Sequence, residues 1–170
     1  MQFSEKGQKM RAKSGFTLVE ILIVVVILGI LAAIVIPQFT EASTEAKTSS
    51  LATDLSSVRS QIQLYKIQHN DNLPGVINGT HTAGGGGAAN FVIAMTEGTD
   101  IFGEPNAAGP YGPYLMKLPT NQFVDSDVVV LGTIEPPAAP APVTDGSQGW
   151  YFSTASGDFW ATDSAEHLLL

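Results

Sequence analysis

The sequence contains no cysteine, so a domain facing an oxidising compartment does without disulfides. Basic residues are also scarce: 8 Lys and Arg stand against 16 Asp and Glu, for a net charge of −8. Four of those bases, Lys6, Lys9, Arg11 and Lys13, lie in the first fifteen residues beside one acid, Glu5. Without that segment 4 bases remain against 15 acids, a net charge of −11. No basic patch survives, and nucleic acid is excluded as a partner. Histidine is limited to His69, His81 and His167, which are widely spaced and read as surface residues rather than zinc ligands. No nucleophile–base constellation appears, and the neighbouring Asp125 and Asp127 lack the spacing of an acid/base pair, so the chain reads as no enzyme. The run Gly84 to Gly87 is followed by no Lys-Ser/Thr and preceded by no strand; it reads as a linker rather than a phosphate cradle.

What the chain does have is one long apolar run, residues 16 to 36, FTLVEILIVVVILGILAAIVI. Only Thr17, Glu20 and Gly29 in it are not clearly apolar. As a helix it would measure about 31 Å, the thickness of a ~30 Å hydrocarbon core. The basic leader on its N-terminal side keeps that end in the cytoplasm and sends the rest across. An ordinary secretory signal cut near Leu31-Ala32-Ala33 is the rival reading. Glu20 within the apolar stretch and the continuation through Ile34-Val35-Ile36 oppose it.

Glu20 is the anomaly, because a carboxylate in a spanning helix costs roughly 2.5 to 3.5 kcal/mol at mid-membrane and needs a partner. One reading is a tolerated residue near the helix end, protonated or snorkelling to the headgroups. The other starts from Gly15 immediately before the run. A cut after Gly15 makes Phe16 a new amino terminus, whose amine of pKa ~8 is mostly cationic. At ~4 Å and an effective dielectric of ~20 that amine would attract the Glu20 carboxylate by about 4 kcal/mol, comparable to the burial cost. Between staggered neighbouring helices such a pair is an assembly contact.

Gly15-Phe16-Thr17-Leu18-Val19-Glu20, continuing through the apolar run to Pro37, resembles the processing site of type IV prepilins and type II secretion pseudopilins. The resemblance implies that a membrane prepilin peptidase cuts after Gly15 and that Phe16 is N-methylated. It also implies that Glu20 neutralises the amine of an adjacent subunit in a filament. The fifteen-residue leader is longer than the usual pseudopilin leader. The implied partners are further copies of this chain, other pseudopilins and the inner-membrane secretion machinery. The implied location is the inner membrane, single-pass, with the C-terminal domain in the periplasm, or the cell surface for a pilus. The missing disulfide, and Gly112-Pro113-Tyr114 leading to Leu118-Pro119 and a first strand, tilt the reading toward pseudopilins over type IVa pilins. Major pseudopilins carry calcium in C-terminal loops, held by Asp side chains and carbonyls. Their acidic, Gly-rich loop has no match here, so no metal ligand is assigned and the residues themselves call for no cofactor. The rival from another class is a membrane-tethered acidic module that binds a cation, polysaccharide or exoprotein.

The implied fold class is α+β and pilin-like: one long helix packed on a small antiparallel β-sheet with long loops. The expected parts are a leader (1–15), a transmembrane assembly helix (16–36), its amphipathic continuation (37–72) and a globular region (73–170). Leu51, Leu55, Val58, Ile62 and Tyr65 recur at helical spacing and should face the sheet. Gly29 and Pro37 bracket the expected kink. The helix should end at His69 to Asn72, after roughly 80 Å. Ala88 to Thr96 reads as a short helix with Phe91 and Met95 on one face. Val128 to Leu131 reads as a strand buried on both faces. Trp150 to Ser153 and Asp158 to Thr162 read as a hairpin with a core of aromatics. Pro136 to Pro142 reads as an extended loop. Asn78-Gly79-Thr80 fits a glycosylation sequon, which is read as coincidental.

Overall fold

The computed structural model describes residues 15–77, 80–81, 87–106, 108–136 and 138–170. The leader before Gly15, the Asn78-Gly79 part of the sequon and most of the glycine run lie outside these residues. The chain divides into two compact units, Met1–Ser43 and Thr44–Leu170.

Helix α1 runs from Leu18 to Gln68 and continues through both Gly29 and Pro37. In its first part every side chain is exposed on the isolated chain, from Leu18 at 81 % to Ile36 at 63 %. An apolar surface all around a helix calls for lipid or protein cover. From Thr40 to Ser60 the many hydroxyls weaken intrinsic helix propensity, and several bond back one turn. Thr40, Thr48, Thr53 and Ser60 donate to the carbonyls of Ile36, Thr44, Ser49 and Ser56 at 3.2, 3.1, 2.9 and 2.8 Å. The helix there is held by packing, since Leu51, Leu55, Val58, Ile62 and Tyr65 are all buried, as their spacing predicts. It ends where Asn70 and Asp71 take positive φ, 54° and 66°, and the Asp71 N–H reaches back to the Lys66 carbonyl at 2.9 Å.

Strands β1 (Val76–Ile77) and β2 (Thr80–His81) form a two-residue antiparallel pair in a stretch expected to be loop. Helix α2 (Gly87–Thr96) follows and buries Phe91, Ala94 and Met95. The main sheet comprises β3 (Val129–Gly132), β4 (Trp150–Ser153) and β5 (Phe159–Ala161), in that order. The β4–β5 pair is the expected hairpin, with Trp150 opposite Ala161 and Phe152 opposite Phe159. Gly157 closes its turn at φ 84°, and a side chain there would run into Leu73.

The sheet is mixed, not antiparallel: β3 lies parallel to β4, with Val129 opposite Trp150. Two parallel strands need a long return, and residues 133–149, including the Pro-rich stretch, supply it. Strand β3 is also not buried on both faces, because only the face carrying Val129 packs against the core. Val129 is buried while Val128 and Val130 are 48 % and 37 % exposed. No regular strand follows Leu118-Pro119 before Val129. In the core, Phe91 meets Phe152 at 4.6 Å between ring centroids and Trp150 stacks on Phe159 at 5.3 Å. The Trp150 indole N–H donates to the Pro119 carbonyl at 2.8 Å, satisfying the one polar atom of a fully buried ring.

Candidate assembly site at the helix start

Glu20 is held by Thr17. Its Oε2 accepts the Thr17 backbone N–H and the Thr17 hydroxyl, each at 2.8 Å, and the Glu20 N–H reaches Thr17 Oγ1 at 3.2 Å. That is a reciprocal capping box: Thr17 caps the helix and Glu20 satisfies one of the orphan N–H groups of the first turn. The carboxylate therefore has partners within its own chain. The Thr-x-x-Glu spacing was legible in the sequence; its signal is masked there by the more conspicuous Gly15-Phe16 pair.

Gly15 and Phe16 are exposed, Phe16 at 80 %. A side chain built on Gly15 would meet nothing within 4 Å, so no contact among the described residues requires glycine there. Gly29 is likewise surrounded by open space.

The histidines depart from the expectation that they are surface residues. His69 is fully buried at the end of α1, stacked on Tyr65 at 3.8 Å. Its Nδ1 donates to the Tyr65 carbonyl and its Nε2 pairs with the Thr99 hydroxyl, both at 2.9 Å. Just past the last turn of a packed helix, a ring one turn beyond Tyr65 continues the same buried stripe. Its spacing from Ile62 and Tyr65 was the available signal. His167 is buried as well, bonded to Asp163. Of His81 only the backbone is described. Asp125 and Asp127 are both exposed, and Asp125 occupies a turn at φ 52°.

A single apolar helix ahead of a small α+β unit, with a capped Glu20 behind an exposed Gly15-Phe16 step, defines a pilin-like protein. Residues 10–36 match the family described as the prokaryotic N-terminal methylation motif. The chain is 30% identical over 115 residues to the type II secretion system core protein G of Klebsiella pneumoniae, covering 67% of this chain and 71% of that one. It is 44% identical over 59 residues to the protein of the same description from Pseudomonas aeruginosa, 35% of this chain and 42% of that one. Over 59 residues it is also 42% identical to the type IV narrow pilus major component PilA5 of Thermus thermophilus, 35% of this chain and 50% of that one. The chain spans about two fifths of the length of the first curated relatives it matches. No solved structure matches it. The chain belongs to the type II secretion system core protein G family, the major pseudopilins.

Proposed function

We propose that this chain polymerises through its N-terminal helix into a pilus-like filament of a type II secretion system and so drives protein export. The observation that carries this reading is the 115-residue match to a secretion core protein, which is too long to be confined to α1. In this reading residues 16–36 anchor the subunit in the inner membrane, and the globular unit faces the periplasm. Prepilin peptidase removes the leader between Gly15 and Phe16, and the secretion machinery and other pseudopilins are the remaining partners. The missing N–H of Pro37 and the unpacked Gly29 make the stretch between them the place where α1 bends on leaving the bilayer. A surface pilus is the second reading, favoured by the pilus component matched at similar identity over 59 residues.

Processing tests the proposal first. The mature chain is expected to begin at Phe16 and to carry about 14 Da of added methyl mass, read by mass spectrometry of the intact membrane-extracted protein. Gly15→Trp is expected to leave the leader attached while the globular unit folds unchanged, because nothing among the described residues packs against Gly15. A mature start near Ile34 would overturn the reading in favour of ordinary secretion. Deleting the genes of the secretion system, against those of a surface pilus, then decides which filament contains the chain.

A second test concerns Arg59, the cation that ties α1 to the end of the chain. Its Nε donates to the Phe159 carbonyl at 3.0 Å and its Nη1 to the Leu170 carbonyl at 2.8 Å. Partial burial lowers its pKa, opposed by the nearby Asp158 charge, yet it stays a cation at any ordinary pH. Arg59→Met keeps the aliphatic stem and is expected to cost about 1–3 kcal/mol in urea unfolding, the scale of hydrogen bonds to a charged group. An unchanged midpoint would show that both bonds are replaced by water without loss.

A further inference from the structure

Three loops of the globular unit, 119–126, 143–149 and 162–167, meet at one buried knot. Its centre is Asn121, which is fully buried. The Asn121 Nδ2 donates to the Gly149 carbonyl at 3.1 Å and to Asp163 Oδ1 at 2.7 Å. Its Oδ1 accepts the Phe123 N–H at 3.0 Å, and its own N–H donates to the Ser126 carbonyl at 2.9 Å. Asp163, only 5 % exposed, is gripped at its other oxygen by His167 Nδ1. The His167 ring packs against Phe123 at 4.4 Å. The Gly149 carbonyl also takes the Thr162 N–H at 3.2 Å, and a side chain on Gly149 would collide with the Ser126 carbonyl. Loop 119–126 is thus tied to both of the others through the buried Asn121 side chain, and those two are tied to each other by the backbone bond from Thr162 to Gly149.

Calcium, which the family resemblance brings to the C-terminal loops, needs six to eight oxygens free to point at one centre. The donor set here does not fit it. Both oxygens of the buried carboxylate face N–H donors, the amide oxygen of Asn121 faces another, and the Gly149 carbonyl already accepts twice. Asp145 is turned onto the Ser147 N–H at 2.8 Å. Among the described residues no group of three or more His, Asp or Glu side chains is placed to hold a metal ion. A buried carboxylate without a metal needs donors on both oxygens, and this one has them.

We propose that Asn121, Asp163 and His167 form a metal-free clamp that holds these loops together, so that the stability of the globular unit does not depend on calcium. The clamp rests on hydrogen bonds of this unit alone and stands or falls apart from the filament reading. Removing His167 leaves a buried carboxylate with half its donors, and removing the Asp163 charge leaves His167 Nδ1 and the Asn121 amide facing a weaker acceptor.

The test is thermal unfolding of the full mature chain in detergent, with excess calcium chloride or with EGTA. The native protein is expected to unfold at the same temperature in both. His167→Ala and Asp163→Asn are each expected to lower Tm by about 5–10 °C, unrecovered by calcium, while the exposed Asp127→Asn leaves it unchanged. His167→Gln retains an amide donor and is expected to fall between, which keeps the comparison open if the alanine variant fails to fold. A calcium-dependent rise in the native Tm that Asp163→Asn abolishes would overturn the proposal and make Asp163 a metal ligand. Unchanged Tm values in His167→Gln and Asp163→Asn would overturn it equally.

Discussion

Chains carrying Glu20→Leu are expected to enter the membrane and be processed at Gly15 as well as the native chain, yet to build no filaments. The two effects have opposite signs. Replacing a carboxylate by an apolar side chain makes the helix cheaper to insert by roughly 2.5 to 3.5 kcal/mol, so anchoring survives. In the assembled state each Phe16 amine then lacks its counter-charge, an attraction of about 4 kcal/mol at an effective dielectric of ~20, repeated at every subunit contact. The capping box adds a way to separate charge from geometry. Leucine also removes the cap on Thr17, whereas Glu20→Gln retains a side chain that can accept the Thr17 N–H. Glu20→Gln is therefore expected to insert with an intact first turn and still fail to assemble. Glu20→Asp, one methylene shorter, should assemble in part. Helix-to-helix crosslinking and electron microscopy of sheared fibres read the outcome. Filaments of Glu20→Gln at native yield would show that the hydrogen-bonded cap, not the charge, is what assembly needs. Filaments of Glu20→Leu at native yield would remove Glu20 from assembly altogether and favour the tethered-module reading.

Leu55→Ala and Ile62→Ala are each expected to destabilise the globular unit by about 2–5 kcal/mol, the largest stability losses anticipated for single changes in this chain. Both side chains are at 0 % exposure, in the same core as Phe91, Phe152 and Phe159, and a truncated side chain there leaves a cavity that a sheet and two helices cannot close. Against a whole-domain stability of about 5–15 kcal/mol, the double variant is expected to lie near the unfolding threshold. Ile67→Ala is the matched control, since Ile67 is 82 % exposed on the same helix and should change stability by no more than about 0.5 kcal/mol. Urea unfolding of the detergent-solubilised mature chain supplies the comparison. Losses near zero at both core positions, with a loss at Ile67, would mean that α1 presents the opposite face to the sheet.

The sequence by itself determined the features that depend on neighbours along the chain. The apolar run of residues 16 to 36, the buried stripe from Leu51 to Tyr65, the helix stop after Gln68 and the Trp150–Ala161 hairpin all follow from local spacing. The Gly15-Phe16 step and Glu20 were legible as a motif in the same way, because they fall within six consecutive residues. Even the Thr17 cap was legible there as Thr-x-x-Glu. Contacts between distant segments were decided only by the tertiary structure. Nothing in Val129 to Gly132 announces that the strand pairs parallel with Trp150 to Ser153, since either direction buries Val129 equally well; the long return through residues 133–149 permits the parallel choice without dictating it. His167 looks in sequence like a surface histidine, because what buries it is Asp163 and Phe123, and although His69 continues the spacing of Ile62 and Tyr65, its Thr99 partner is set only by the fold. Asn121 lies 28 residues from Gly149 and 42 from Asp163, so no period or motif links them. Only the folded chain brings an amide, a carboxylate and an imidazole into one dry space, where their pairing is worth more than water would offer.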